Sequence, residues 1–257
     1  MDLGISGRTA LVTGADSGIG LATAQLLHSE GVRVKITDLD QESLEQADLP
    51  QEVVRLAADL TEPTDVARLR EQIGAVDILV QCAGITGAQG LFHEIDDAGW
   101  EKTIQTDLLA AVRVVRAFLD PMRSKGWGRI VLLASEDAVQ PYVDELPYCA
   151  AKAGVLALTK GLSKTYASEG VLVNAVSPAF IASPMTDAMM SKRADENGTS
   201  VDEAIVSFLD EERPGMELKR RGHADEVASV IAFLCSERAS FVNGSNYRVD
   251  SGSVQTI

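Results

Sequence analysis

The stretch Thr13-Gly14-Ala15-Asp16-Ser17-Gly18-Ile19-Gly20 constrains this chain more than any other. An apolar run from Thr9 to Val12 leads into it, and a helical pattern from Ile19 to Ser29 leaves it. This is a buried strand, a glycine turn and a helix in direct succession. Gly14 lets the chain turn tightly, Gly18 lets the backbone approach a pyrophosphate, and Gly20 lets the helix pack close to the strand. The helix start offers free amides and the positive end of its dipole to phosphate oxygens. Glycine spacing alone is weak evidence; the strand–turn–helix setting makes it a dinucleotide-binding signal.

The rest of the chain repeats the rhythm. Further strands are expected at Val32–Ile36, Val53–Leu56, Val76–Val80, Arg129–Leu133, Val171–Val176 and Asn246–Val249. Between them fall helices from Glu42, at Thr64–Ile73, Asp97–Met122, Tyr148–Glu169 and Ala224–Cys235. Short apolar strands alternating with helices predict a mostly parallel sheet covered on both faces. The fold class is therefore α/β, a doubly wound Rossmann-like sheet in a single domain over 1–257, with ligands bound at the carboxyl ends of the strands. Residues 183–213 break the rhythm and read either as a helical substrate lid or as a surface helical hairpin.

The second strand ends at Asp38, where a carboxylate can accept hydrogen bonds from the adenosine ribose hydroxyls. A 2′-phosphate would meet negative charge there. Neither Leu39 nor Ser17 supplies a base, and Asp16 adds a second acid. The expected cofactor is NAD(H) rather than NADP(H). The formal net charge of −15 repels nucleic acid and anionic membranes at long range. No signal peptide is expected from the first residues, and no run approaches a membrane span. The cysteines Cys82, Cys149 and Cys235 are far apart, so neither a disulfide framework nor a metal site is expected. These features fit a cytoplasmic protein.

Tyr148 and Lys152 stand four apart at the head of a predicted helix and share a face. A free tyrosine titrates near pH ~10 and is a poor base at neutrality. A nearby ammonium stabilises its phenolate and makes it a useful acid/base for a carbinol or carbonyl. Ser135 follows the fifth strand and can hold the substrate oxygen in the same crevice.

On these residues the chain resembles the short-chain dehydrogenase/reductase family, in its single-domain, tyrosine-dependent branch. The likeness runs from Thr9 to Gly252. It includes the turn at 13–20, Asp38, Asp59-Leu60, Cys82-Ala83-Gly84 where the family usually reads Asn-Ala-Gly, and Ser135, Tyr148 and Lys152. It continues through Asn174–Pro178, Ile181-Ala182-Ser183-Pro184-Met185 and Tyr247–Gly252. The resemblance implies that Asp59 and Leu60 contact adenine and that Pro178, Ile181 and Ser183 lie by the nicotinamide carboxamide. It implies that Tyr148 exchanges the proton, Lys152 holds the nicotinamide ribose and lowers the tyrosine pKa, and Ser135 orients the substrate. The family's fourth catalytic residue is an asparagine serving a water relay to the lysine; aligned on Trp100, this chain has Asp107.

The chain is also similar to ketoacyl-carrier reductases, but Glu169 stands where those carry an arginine suited to an acidic carrier. The loop before Tyr148 holds Glu136, Asp137, Gln140, Tyr142, Asp144 and Glu145, either as a pocket wall unfriendly to anions or as a solvated rim. Expected substrate contacts are Phe92, Glu136, Val139, Tyr142, Met185 and Met189, around a mid-sized neutral alcohol or ketone. Two alternatives stay open: an NADPH-dependent 3-oxoacyl reductase, and an NAD-binding scaffold or sensor of weak turnover. Apolar residues on more than one face of the two long helices, with the resemblance, imply a homotetramer or homodimer.

Overall fold

The computed structural model describes residues 2–256. Seven strands form one sheet: β1 (Thr9–Thr13), β2 (Arg33–Thr37), β3 (Val54–Arg55), β4 (Ile78–Gln81), β5 (Gly128–Leu133), β6 (Val171–Pro178) and β7 (Asn246–Val249). Their order is β3-β2-β1-β4-β5-β6-β7, and every neighbouring pair is parallel. The winding reverses between β1 and β4, which opens a crevice at their carboxyl ends.

Helices cover both faces. They are α1 (Gly18–Ser29), α2 (Gln41–Gln46), α3 (Pro63–Ile73), α4 (Asp97–Ile104), α5 (Ala110–Lys125), α6 (Leu146–Tyr166), α7 (Pro184–Asn197), α8 (Val201–Glu211) and α9 (Ala224–Cys235). Alternation along the strands divides the core. Ala10 and Val12 of β1 pack on the α1/α9 side with Ile36, Ile78 and Val80. Leu11 packs on the opposite side with Leu79, Ile130, Leu132 and Phe118. Burial on both faces is why these strands read as continuous apolar runs. The expected strands and helices are present, with ends moved by one to a few residues, and the third strand shrinks to Val54–Arg55 at the sheet edge.

Two features depart from the sequence pattern. The helix expected over Asp97–Met122 is broken by a π-helical turn, Gln105–Leu109, between α4 and α5. The wider turn carries Asp107, which is buried. Segment 183–213 forms the helices α7 and α8, packed over their own small core of Phe180, Met190, Phe208, Leu209 and Met216. Ser183 and Ser200 cap these helices through reciprocal bonds with Thr186 and Glu203. Among the described residues, no helix is long and apolar enough to cross a membrane.

Candidate active site

A cleft of about 960 Å³ runs along the carboxyl edge of the sheet. One half is built by the glycine turn. Gly14 has φ +64°, and a Cβ there would lie 2.6 Å from the Ala83 backbone nitrogen. A Cβ on Gly20 would strike the Gly14 carbonyl. Thr13 and Gln81 lock β1 to β4 through a 2.7 Å side-chain bond, and the Cys82 and Ala83 amides donate to Thr13 Oγ1 at 3.2 Å. The turn is thus held directly against the segment after β4. Ser17 precedes α1 without capping it by its side chain, leaving the helix amides free for an anion.

Asp38 closes this half. Its carboxyl accepts from the Leu39 amide at 2.7 Å. It is pushed above the usual carboxylate range by burial and, among lesser causes, by the neighbouring Asp16 carboxylate. Asp16 itself accepts from the Ser17 hydroxyl at 2.8 Å. Among the described residues, no basic side chain is paired with either acid. These residues, with Ile19, Leu39, Asp59, Leu60, Cys82 and Gly84, line the cleft. A cradle of free amides walled by glycines fits the pyrophosphate of a dinucleotide, and two carboxylates stand at its end. Burial pushes the Cys82 thiol up to about 12, so it is a packing group there.

The middle of the cleft holds Ser135, Tyr148 and Lys152. Ser135 follows β5, and Tyr148 and Lys152 start α6 one turn apart. Lys152 Nζ lies 5.3 Å from the Tyr148 ring centroid and donates to the Leu133 carbonyl at 3.1 Å. It also lies 3.6 Å from Asp107 Oδ1. Asp107 Oδ1 accepts from the Ile85 amide at 3.0 Å, while Oδ2 has no hydrogen-bond partner among the described residues. Burial pushes the Asp107 carboxyl up, against the pull of Lys152. Tyr148 is raised well above ordinary tyrosine, by burial first and then by the Asp137 and Asp107 carboxylates. Pro178, Ile181 and Ser183 line the cleft nearby.

The far end is mixed. Phe180, Met185, Met189 and Phe208 give it an apolar wall, and Glu136, Asp137, Glu145 and Arg213 a polar one. Arg213 lies past the end of α8. Its guanidinium stacks 3.4 Å from the Tyr142 ring centroid, 3.4 Å from Glu136 Oε1 and 3.6 Å from Glu145 Oε2. One guanidinium serves both carboxyls. Burial raises Glu136 to about 7 and Glu145 to about 8. The loop acids Glu136 and Asp137 are therefore buried wall, not solvated rim.

Of the six expected substrate contacts, Glu136, Met185 and Met189 line the cleft. Phe92, Val139 and Tyr142 do not. Phe92 is exposed and packs edge-on against Trp100, Val139 is exposed, and Tyr142 is turned back under Arg213 with its hydroxyl on Glu136. Arg213 and Phe208 escaped the sequence reading because the chain brings them back to the site only through the α7–α8 excursion. An arginine in an acidic helical insert was the one available signal.

A family model described as enoyl-(acyl carrier protein) reductase matches residues 14–254. Nodulation protein G of Rhizobium sp. (strain N33) is 36% identical over 254 residues, covering 96% of this chain and 97% of that protein. A solved structure titled short chain dehydrogenase/reductase family protein superposes with a TM-score of 0.87 at 34% identity, covering all of both chains. L-sorbose reductase from Gluconobacter frateurii, complexed with NADPH and L-sorbose, superposes with a TM-score of 0.90 at 33% identity, again over all of both chains.

Proposed function

The chain belongs to the short-chain dehydrogenase/reductase family, and from that premise we propose that it interconverts a secondary alcohol and a ketone with NAD(H), acting on a mid-sized neutral substrate. One observation carries the reading: Ser135, Tyr148 and Lys152 converge in a single cleft that begins at the glycine turn and Asp38. The nicotinamide, when bound, supplies or takes the hydride at the substrate carbon. Tyr148 gives or takes the proton at the substrate oxygen. Ser135 holds that oxygen. Lys152, fixed by the Leu133 carbonyl and Asp107, holds the nicotinamide ribose and stabilises the Tyr148 phenolate.

The far end supports a neutral substrate. Glu136 and Glu145 already occupy the Arg213 guanidinium, so a carboxylate or phosphate ligand finds no free positive charge there, and the same argument disfavours an acidic acyl carrier. Helices α7 and α8 act as the lid over this end. The protein works in the cytoplasm, with its three cysteines free, as a homotetramer or homodimer. A screen of secondary alcohols, cyclic alcohols, sugars and sterols with NAD, read as NADH formation, tests the activity; no turnover of any of these sinks it. The second reading, an NADPH-linked ketoreductase, is favoured by the NADPH bound in L-sorbose reductase and opposed by Asp16 and Asp38. Paired NADH and NADPH titrations separate the two.

A further inference from the structure

Arg213 is 8% exposed and lines the far end of the cleft. Its position does not depend on the acids around it. The centre of its guanidinium lies 3.4 Å from the Tyr142 ring centroid and 5.0 Å from that of Phe208, and Nη1 donates to the Glu212 carbonyl at 3.1 Å. Two carboxyls face its other nitrogens. Nε lies 3.4 Å from Oε1 of Glu136, the residue after Ser135, and Nη2 lies 3.6 Å from Oε2 of Glu145, just before α6. Both ion pairs are long beside a charge-assisted hydrogen bond of ~2.8 Å. Glu136 is buried, and its Oε2 has no hydrogen-bond partner among the described residues. An acid held in that way adds little to stability, so its place at the cleft calls for another reason. Phe208 belongs to the apolar wall of the same end, so a ligand lying on that wall reaches the guanidinium.

We propose that Arg213 is a masked carboxylate-binding site: Glu136 and Glu145 silence it and so select neutral substrates, and loss of their charge admits an alcohol or ketone that also bears a carboxylate. The inference rests on the reading of this end of the cleft as the substrate end. With both acids ionised, two negative charges oppose one positive charge, and a carboxylate ligand gains nothing. With both neutral, the unopposed guanidinium draws a carboxylate lying on the wall. The surroundings of the acids set where the mask lifts. Glu136 faces Asp137 and Tyr142 from its own loop, Ser253 from the C-terminal segment, and Arg213. Glu145 faces Asp137, Asp144, Arg213, Gln89 and Tyr148. Burial raises Glu136 to about 7 and Glu145 to about 8. The mask is therefore full at about pH 9 and weakens as pH falls.

Benzoate and benzamide are the probes, since they share a ring, differ in charge and carry no ketone. Calorimetric titration of protein saturated with the tighter-binding of NADH and NADPH, at about pH 9, gives both Kd values. In the double variant Glu136→Gln/Glu145→Gln, the benzoate-to-benzamide Kd ratio should fall ~10-fold or more relative to the parent protein. Adding Arg213→Met to that variant, where no acid is left stranded, should abolish the gain. In the parent protein the ratio should fall between about pH 9 and about pH 6, and in the double variant it should stay flat. Should the double variant fail to fold, Glu145→Gln and the parent pH series are read in the same way. A ratio unchanged by the substitutions and by pH overturns the masked site, as does a gain that survives Arg213→Met or benzoate binding that stays undetectable in the double variant. Benzoate binding gained as expected, in a protein that turns over no alcohol, leaves the Arg213 site standing and sinks the oxidoreductase reading.

Discussion

Lys152 Nζ lies 3.6 Å from Asp107 Oδ1, with both side chains sealed from solvent. The asparagine that the family uses at this place is neutral. Here a carboxylate faces the ammonium that has to stabilise the Tyr148 phenolate. It competes for that positive charge and also repels the phenolate directly.

Asp107→Asn should therefore lower the apparent pKa of the catalytic base. The pH profile of alcohol oxidation is expected to move to lower pH, with kcat at its plateau unchanged or modestly raised. The amide oxygen can still accept from the Ile85 amide, so the π-helical turn keeps its anchor. Oxidation rates measured across pH in both proteins check this; superimposable profiles would show that Lys152 already acts at full charge.

Asp16 and Asp38 line the cleft beside the glycine turn, and on the proposed function they meet the adenosine ribose. NADH should be favoured over NADPH by ~10-fold or more in Kd, about 1.4 kcal/mol. Replacing Asp38 by alanine should narrow the gap by weakening NADH and relieving NADPH. Fluorescence titration with both cofactors measures each constant, and equal affinities in the parent protein would contradict the argument.

How much of this was legible beforehand follows from how local each signal is. The glycine turn, Asp38, and Tyr148 with Lys152 lie within single strand–turn–helix units, where spacing fixes geometry. The sheet was readable because strands buried on both faces are written as unbroken apolar runs. Asp107 was placed only by alignment, since a π-helical turn keeps the composition of the helix it interrupts. Arg213 was missed because the side chains it meets, Glu136 and Glu145, lie far away in sequence. Phe92 and Val139 were misplaced because loop residues have no period that says which way they face. Glu136 and Asp137 look like surface residues in the sequence; the packing of their turn against α6 and β6, with Arg213 against Glu136, is what buries them.

Glu136 and Glu145 give stability a pH dependence. In the folded protein they bind protons up to about 7 and about 8, above the usual 4.5. The folded state thus holds protons that the unfolded chain has released, so stability falls as pH rises through those values. Their contribution is complete below the unfolded value and is lost by about pH 8. The Tm should drop by ~3 °C or more between about pH 5 and pH 8, and Glu136→Gln should flatten the slope. Calorimetry on both proteins tests this; parallel slopes would mean that the two carboxyls titrate normally.

An isolated chain leaves Leu109 and Val112 of the α4–α5 stretch and Leu156 and Leu158 of α6 only partly buried. Apolar side chains left partly exposed on two adjacent helices call for a further layer. Light scattering at micromolar protein should give the mass of a dimer or tetramer. Leu158→Glu should shift it towards the monomer, and a monomeric parent protein would refute the assembly.

The proton-transfer centre makes the strongest demand. Tyr148→Phe removes one hydroxyl, so the fold and NADH binding should persist while turnover falls by ~100-fold or more. Lys152→Ala should reduce turnover and also weaken cofactor binding, because the ammonium serves both the phenolate and the ribose. It also strands Asp107 without its counter-charge, which should lower the Tm. Oxidation should quicken with rising pH, since the phenolate is the base. Burial first, and then the carboxylates around it, raise the Tyr148 pKa in the protein alone, whereas Lys152 and the positive nicotinamide ring act to lower it when cofactor is bound. Tyrosinate absorbance with and without NAD should therefore show titration of Tyr148 at lower pH in the complex. If Tyr148→Phe retains near-normal kcat where chemistry limits the rate, the proton is carried by another group and the assignment of Tyr148 is wrong.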